Sequence, residues 1–89
     1  MNGDELFDFS KDAAYLFVLS KIDQYKGEKD YFEHKYKKSF RDVEREAHAE
    51  KGEEDFKLEE DLEDWEFALK SLEYWENQFH QLRNNVEVA

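Results

Sequence analysis

The sequence predicts an all-α fold: an antiparallel hairpin of two long helices with a short connecting helix, and two such hairpins able to dimerise into a four-helix bundle. Three observations predict it. First, the stretch Glu53–Leu82 carries Leu58, Leu62, Trp65, Leu69, Leu72, Trp75, Phe79 and Leu82 at steps of three and four. That spacing draws one apolar stripe along an α-helix, with acids filling most positions between. Second, the chain has no Pro and only three Gly, which leaves little turn chemistry for sheets. Third, a charged fraction of 42% alone would argue for disorder, but 2 Trp, 5 Tyr and 8 Phe supply a core. With 89 residues the chain reads as a single helical domain, residues 1–89, near the size at which one core is barely sufficient.

Residues Met1–Phe9, with Phe7 and Phe9 among acids, read as a lead-in that docks on the body. Ser10 is the expected N-cap of the first long helix, about residues 10–37, with Asp12 near its positive end. Tyr15, Val18, Leu19, Ile22, Tyr25, Phe32 and Tyr36 form its stripe. Lys29 takes a stripe position, where a lysine snorkelling over an aromatic face is tolerated, and Gly27 marks a kink. Ser39 and Asp42 fit a capping box and start a short helix, about residues 39–51, carrying Phe40, Val43 and Ala47 on one face. The competing reading is one helix from Ser10 to Lys51. Breaking the chain near Lys38 makes the two long helices similar in length and sets Tyr15, Leu19 and Ile22 opposite Phe79, Trp75 and Leu72, so the broken version buries more. Gly52 is the expected C-cap, and the last helix covers about residues 53–84.

Charge narrows the function classes. A formal charge of −11 opposes binding to DNA, RNA or anionic lipid; it either favours a basic protein partner or serves only to keep a small domain soluble. Lys35, Lys37, Lys38, Arg41 and Arg45 cluster mid-chain, whereas Glu53–Glu66 holds nine acids against one lysine, so an antiparallel hairpin neutralises some of the acid internally. The longest apolar run, Ala13–Leu19, is far short of a membrane span and follows acids, unlike a signal peptide. No cysteine is present, consistent with a cytoplasmic setting.

No catalytic pattern stands out. Each histidine has an acid four residues before it (Asp30 and His34, Glu44 and His48, Glu76 and His80), yet acids are so common that these pairs read as solvated helix faces, and neither metal nor cofactor is expected. The run Glu59-Glu60-Asp61 reads as a solvated face too. There is no phosphate loop, Gly-x-Ser-x-Gly or cysteine nucleophile, so an enzyme is not expected. Tyr31, Phe56, Phe67 and Tyr74 lie off the main stripe. Either a wide core face or the N-terminal segment covers them, or they form an aromatic interface rimmed by acid. The candidate partner-binding residues are Phe56, Glu60, Asp64, Phe67 and Tyr74.

The order FEHKYKKSFRDVE (Phe32–Glu44), EEDF (Glu53–Phe56) and DLEDWEFA (Asp61–Ala68) resembles a group of small acidic helical antitoxins of prokaryotic two-gene toxin–antitoxin modules. In those proteins a Lys-Tyr-Gly turn precedes a Ser-Phe-x-x-(aromatic)-Glu helix, and an Asp-(Tyr/Leu)-x-x-Trp stretch follows. Tyr36, Ser39, Phe40, Glu44, Asp61 and Trp65 match, over about half the chain. Lys37 stands where glycine is expected, which would make the corner less abrupt, and Val43 stands where an aromatic is expected. The resemblance implies neutralisation of a small, basic, nuclease-like toxin by direct binding. Two further readings stand beside it: a nucleic-acid mimic in which the acids of Glu53–Glu66 imitate phosphates, and a homo-oligomeric structural bundle without catalytic activity; a homodimer is compatible with the antitoxin reading as well.

Overall fold

The computed structural model of the chain describes residues 3–49 and 55–88, and the side chains of residues 11–49 and 55–84. Three helices, α1 (Gly3–Tyr36), α2 (Phe40–Ala49) and α3 (Phe56–Val88), make up the described residues, which contain no strand. Tyr15 packs edge-on against Phe79, Tyr25 against Phe67, and Phe32 stacks on Trp65, so α1 and α3 run antiparallel. The hairpin is a rod of 67 × 21 × 18 Å.

Helix ends follow local chemistry. The Ser39 Oγ accepts the Asp42 N–H at 3.2 Å, as the capping box requires, but the Asp42 carboxylate turns to Arg45 at 3.6 Å. Asp55, not singled out from the sequence, caps α3: its Oδ1 accepts the Leu58 N–H at 3.1 Å. Helix α1 starts at Gly3, so Ser10 lies inside it and is no cap. Nothing between residues 4 and 10 breaks a helix, neither Pro nor Gly. Gly52 and its expected capping role lie outside the described residues, as do the side chains of Phe7 and Phe9. Gly27 does not end α1, which runs through it to Tyr36.

The corner after α1 is sharp although glycine is missing from it. Lys37 takes φ 55°, and its N–H donates to the Glu33 carbonyl at 2.7 Å. This is the left-handed helix ending that glycine adopts freely and a side chain resists. Lys37→Gly is therefore expected to raise stability by about 0.5–1 kcal/mol, read as a higher urea midpoint at unchanged slope. A lower midpoint would mean that lysine is not strained there.

The densest packing sits at the α2 end. Trp65 is fully buried, stacked on Phe32 (5.7 Å) and Tyr36 (5.8 Å) and met edge-on by Phe40 (5.4 Å). Val43, Leu58, Leu62 and Leu69 complete this cluster. Away from α2 the hairpin is only two helices thick, and apolar side chains stay wet. Leu19, expected in the core, is 44% exposed, and Phe17 rather than Leu19 meets Trp75, at 5.6 Å. Lys29 turns to Glu33 at 3.2 Å, an ion pair in place of the expected seat over an aromatic face.

Candidate functional site

The acids and aromatics sort onto two flanks of α3. On one flank α2 is laid down, and Phe40, Glu44 and His48 face Glu59, Leu62, Glu63 and Glu66 across a cleft. Among the described residues, no three acidic or histidine side chains gather closely enough to hold a metal ion.

Between the helices a single buried acid fixes their register. Asp61 is 6% exposed, so it does not belong to a solvated Glu59-Glu60-Asp61 face, although Glu59 and Glu60 are exposed. Its Oδ2 accepts hydrogen bonds from Lys35 Nζ at 2.6 Å and from the Tyr36 hydroxyl at 2.5 Å. Burial acts to raise the Asp61 pKa, but the hydrogen bonds from Lys35 and Tyr36 outweigh it and hold the carboxyl below its usual value. Burial and the same carboxylate push the Tyr36 phenol far up. A buried carboxylate without such donors would be costly, so the network ties the last turn of α1 to the second turn of α3. Four of the six residues that carry the resemblance stated above come together here: Tyr36 and Asp61 bond, and Phe40 packs on Trp65.

The basic cluster otherwise leaves α3 alone. Lys38 pairs with Glu46 at 2.7 Å and Arg45 with Asp42, both within or next to α2. Among the described residues of Glu53–Glu66, Asp61 is the one acid paired with the Lys35–Arg45 cluster, so internal neutralisation is slighter than expected.

The opposite flank of α3, turned away from α2, carries the candidate partner-binding residues. Phe56, Glu60, Asp64, Phe67 and Tyr74 follow one another at helical steps, and all five are exposed; Phe56 is 68%, Phe67 60% and Tyr74 55% accessible. Phe67 rests edge-on against Tyr25 and Tyr74 against Trp75, leaving their outer faces to solvent. Asp64 and Phe67 line a groove of about 450 Å³ with Gly27, Glu28, Tyr31 and Phe32. Tyr74 and Phe56 lie along the same flank but outside that groove. Beyond Tyr31, the α1 wall is not evident from the stripe of either helix taken alone. Its signal is a seven-residue repeat, Phe17, Gln24, Tyr31 beside Lys21, Glu28, Lys35, which places those side chains on one edge of α1.

Among the described residues no helix is long and apolar enough to cross a membrane. Comparison of the chain with protein-family models, with curated proteins and with solved structures returns no match.

Proposed function

We propose that this chain is an acidic protein-binding module that acts in the cytoplasm as an antitoxin-like protein, occluding a small basic, nuclease-like toxin by direct contact rather than by catalysis. The observation that carries this reading is the exposed aromatic line of Phe67 and Tyr74, flanked by Glu60 and Asp64, on the side of α3 that α2 leaves uncovered. Aromatic centres ringed by charge are the usual composition of binding hot spots, and a surplus of eleven negative charges accelerates encounter with a cation-rich partner. The resemblance to small acidic antitoxins supports the same assignment.

The test is co-purification from the native organism, in search of a small basic protein encoded by a neighbouring gene, followed by light scattering. A one-to-one or two-to-two complex is expected. Phe67→Ser and Tyr74→Ser are each expected to weaken it by about tenfold or more with little change in melting temperature, because both rings are more than half exposed. A homodimer that buries both rings and ignores the basic protein would overturn the reading in favour of a structural bundle.

A second reading, mimicry of nucleic acid, is favoured by one observation: most described acids between residues 55 and 66 are exposed and unpaired with the basic cluster. Under it, nucleic acid would compete with this chain for the partner. A partner that binds RNA and this chain together would exclude it.

A further inference from the structure

The groove over Gly27 interrupts a regular pattern on the α1 edge. Lys21 Nζ lies 5.5 Å from the Phe17 ring centre, and Lys35 Nζ lies 6.0 Å from the Tyr31 ring centre while bonded to Asp61. At both rungs the chain supplies its own cation to an aromatic face. The rung between them carries Glu28 where a lysine would continue the repeat. At the adjacent position 27 the chain has glycine, and a Cβ built there would meet nothing within 4 Å, so the space over it is open. The walls are Tyr31 and Phe67, and across them stand two carboxylates, Glu28 on α1 and Asp64 on α3. Neither carboxylate makes an ion pair among the described residues; Glu28 has only a long contact of 3.5 Å with the Gln24 amide. Aromatic faces and two unneutralised acids around an open gap are complementary to a flat cation.

We infer that this groove receives an arginine side chain from the basic partner, its guanidinium lying against Phe67, the ring that the chain supplies with no cation of its own among the described residues, and hydrogen-bonded to Glu28 and Asp64. The inference rests on the partner reading above and adds to it a place and a chemistry. Guanidinium fits better than ammonium because it is planar, stacks on rings, and has donors enough to reach two carboxylates at once.

The test needs no partner. Argininamide is titrated into the isotope-labelled protein at constant ionic strength, with citrullinamide, in which an uncharged urea replaces the guanidinium, as control. The Gly27 amide, one of only three glycines, reports the groove. A saturable shift of Gly27 with argininamide, and at least about tenfold weaker binding for citrullinamide and for the Glu28→Gln/Asp64→Asn double variant, is expected. Gly27→Leu fills the gap with a better helix former, so its melting temperature should hold or rise while the argininamide shifts of the neighbouring Glu28 and Tyr31 amides, read in place of the lost glycine, disappear. Shifts spread without saturation over the acidic surface, equal binding of citrullinamide, or unchanged binding by the Gly27→Leu protein would each overturn the inference. Failure to capture the basic protein defeats the partner reading and leaves this titration untouched. Capture that Gly27→Leu does not weaken, with no local argininamide shift, defeats the inference alone.

Discussion

Trp65→Ala is expected to destabilise the protein by about 3–5 kcal/mol, a large part of the roughly 5–15 kcal/mol available to a small domain. Among the described residues Trp65 is the one large side chain that is completely buried, and it lies where all three helices meet: Phe32 and Tyr36 from α1 stack on it, and Phe40 from α2 meets its edge. Removing it opens a cavity that two helices cannot close without breaking the Tyr36–Asp61 bond at the same place. Urea unfolding followed by helix signal should place the variant close to unfolded at physiological temperature. Trp75→Ala is the internal control, because Trp75 is only half-buried and lies in the two-helix part of the rod. Trp65→Phe should fall between wild type and alanine. It loses volume, but also the Nε1–H, which has no hydrogen-bond partner among the described residues. Equal losses from Trp65→Ala and Trp75→Ala would show that the core is not concentrated at the α2 end.

That concentration explains which parts of the fold were legible in the residues. The stripe from Leu58 to Leu82, the break near Lys38 and the serine cap at position 39 all obey rules set by nearest neighbours on a helix, and these are properties of a local string. Leu19 is misplaced because a three-or-four spacing fits two adjacent lines on a helix, and only the partner helix selects one of them; Lys29 does lie on the half-buried line, and only its partner, Glu33 instead of an aromatic face, differs. Phe17, not Leu19, points at Trp75. Asp61 was hidden in an acid run, since its burial depends on Lys35 and Tyr36, which lie 26 and 25 residues away. Its spacing to Trp65 was visible, but composition outweighed it. The candidate site was half legible. Asp64, Phe67 and Tyr74 could be found from one helix, whereas Gly27 and Glu28 acquire meaning only once α1 lies beside α3.

Asp61→Asn provides the second large effect, and its signature is in the pH dependence. At neutral pH the change removes the charge that Lys35 bonds while leaving an acceptor for Tyr36, at an expected cost of about 1.5–3 kcal/mol. Asp61→Ala strands both donors and should cost more, about 3–5 kcal/mol. The Asp61 carboxyl titrates lower in the folded protein than in the unfolded chain, where it returns to the ordinary carboxylate range. The folded state therefore binds fewer protons there, and the stability that this group contributes is fully present above the unfolded value. It is lost as pH falls through the depressed native value. The stability gap between wild type and Asp61→Asn should consequently be constant from neutral pH down to the ordinary carboxylate range, and should then narrow as acid protonates Asp61. The other carboxylates are common to both proteins, so the difference isolates this one group even in a chain with 24 acids. Salt should hardly alter the gap, because Asp61 is buried and its partners are in direct contact. Urea midpoints for the two proteins across that acid range measure it. A gap that stays constant throughout would mean that Asp61 contributes shape rather than charge, and that Lys35 and Tyr36 bind it no better ionised than neutral.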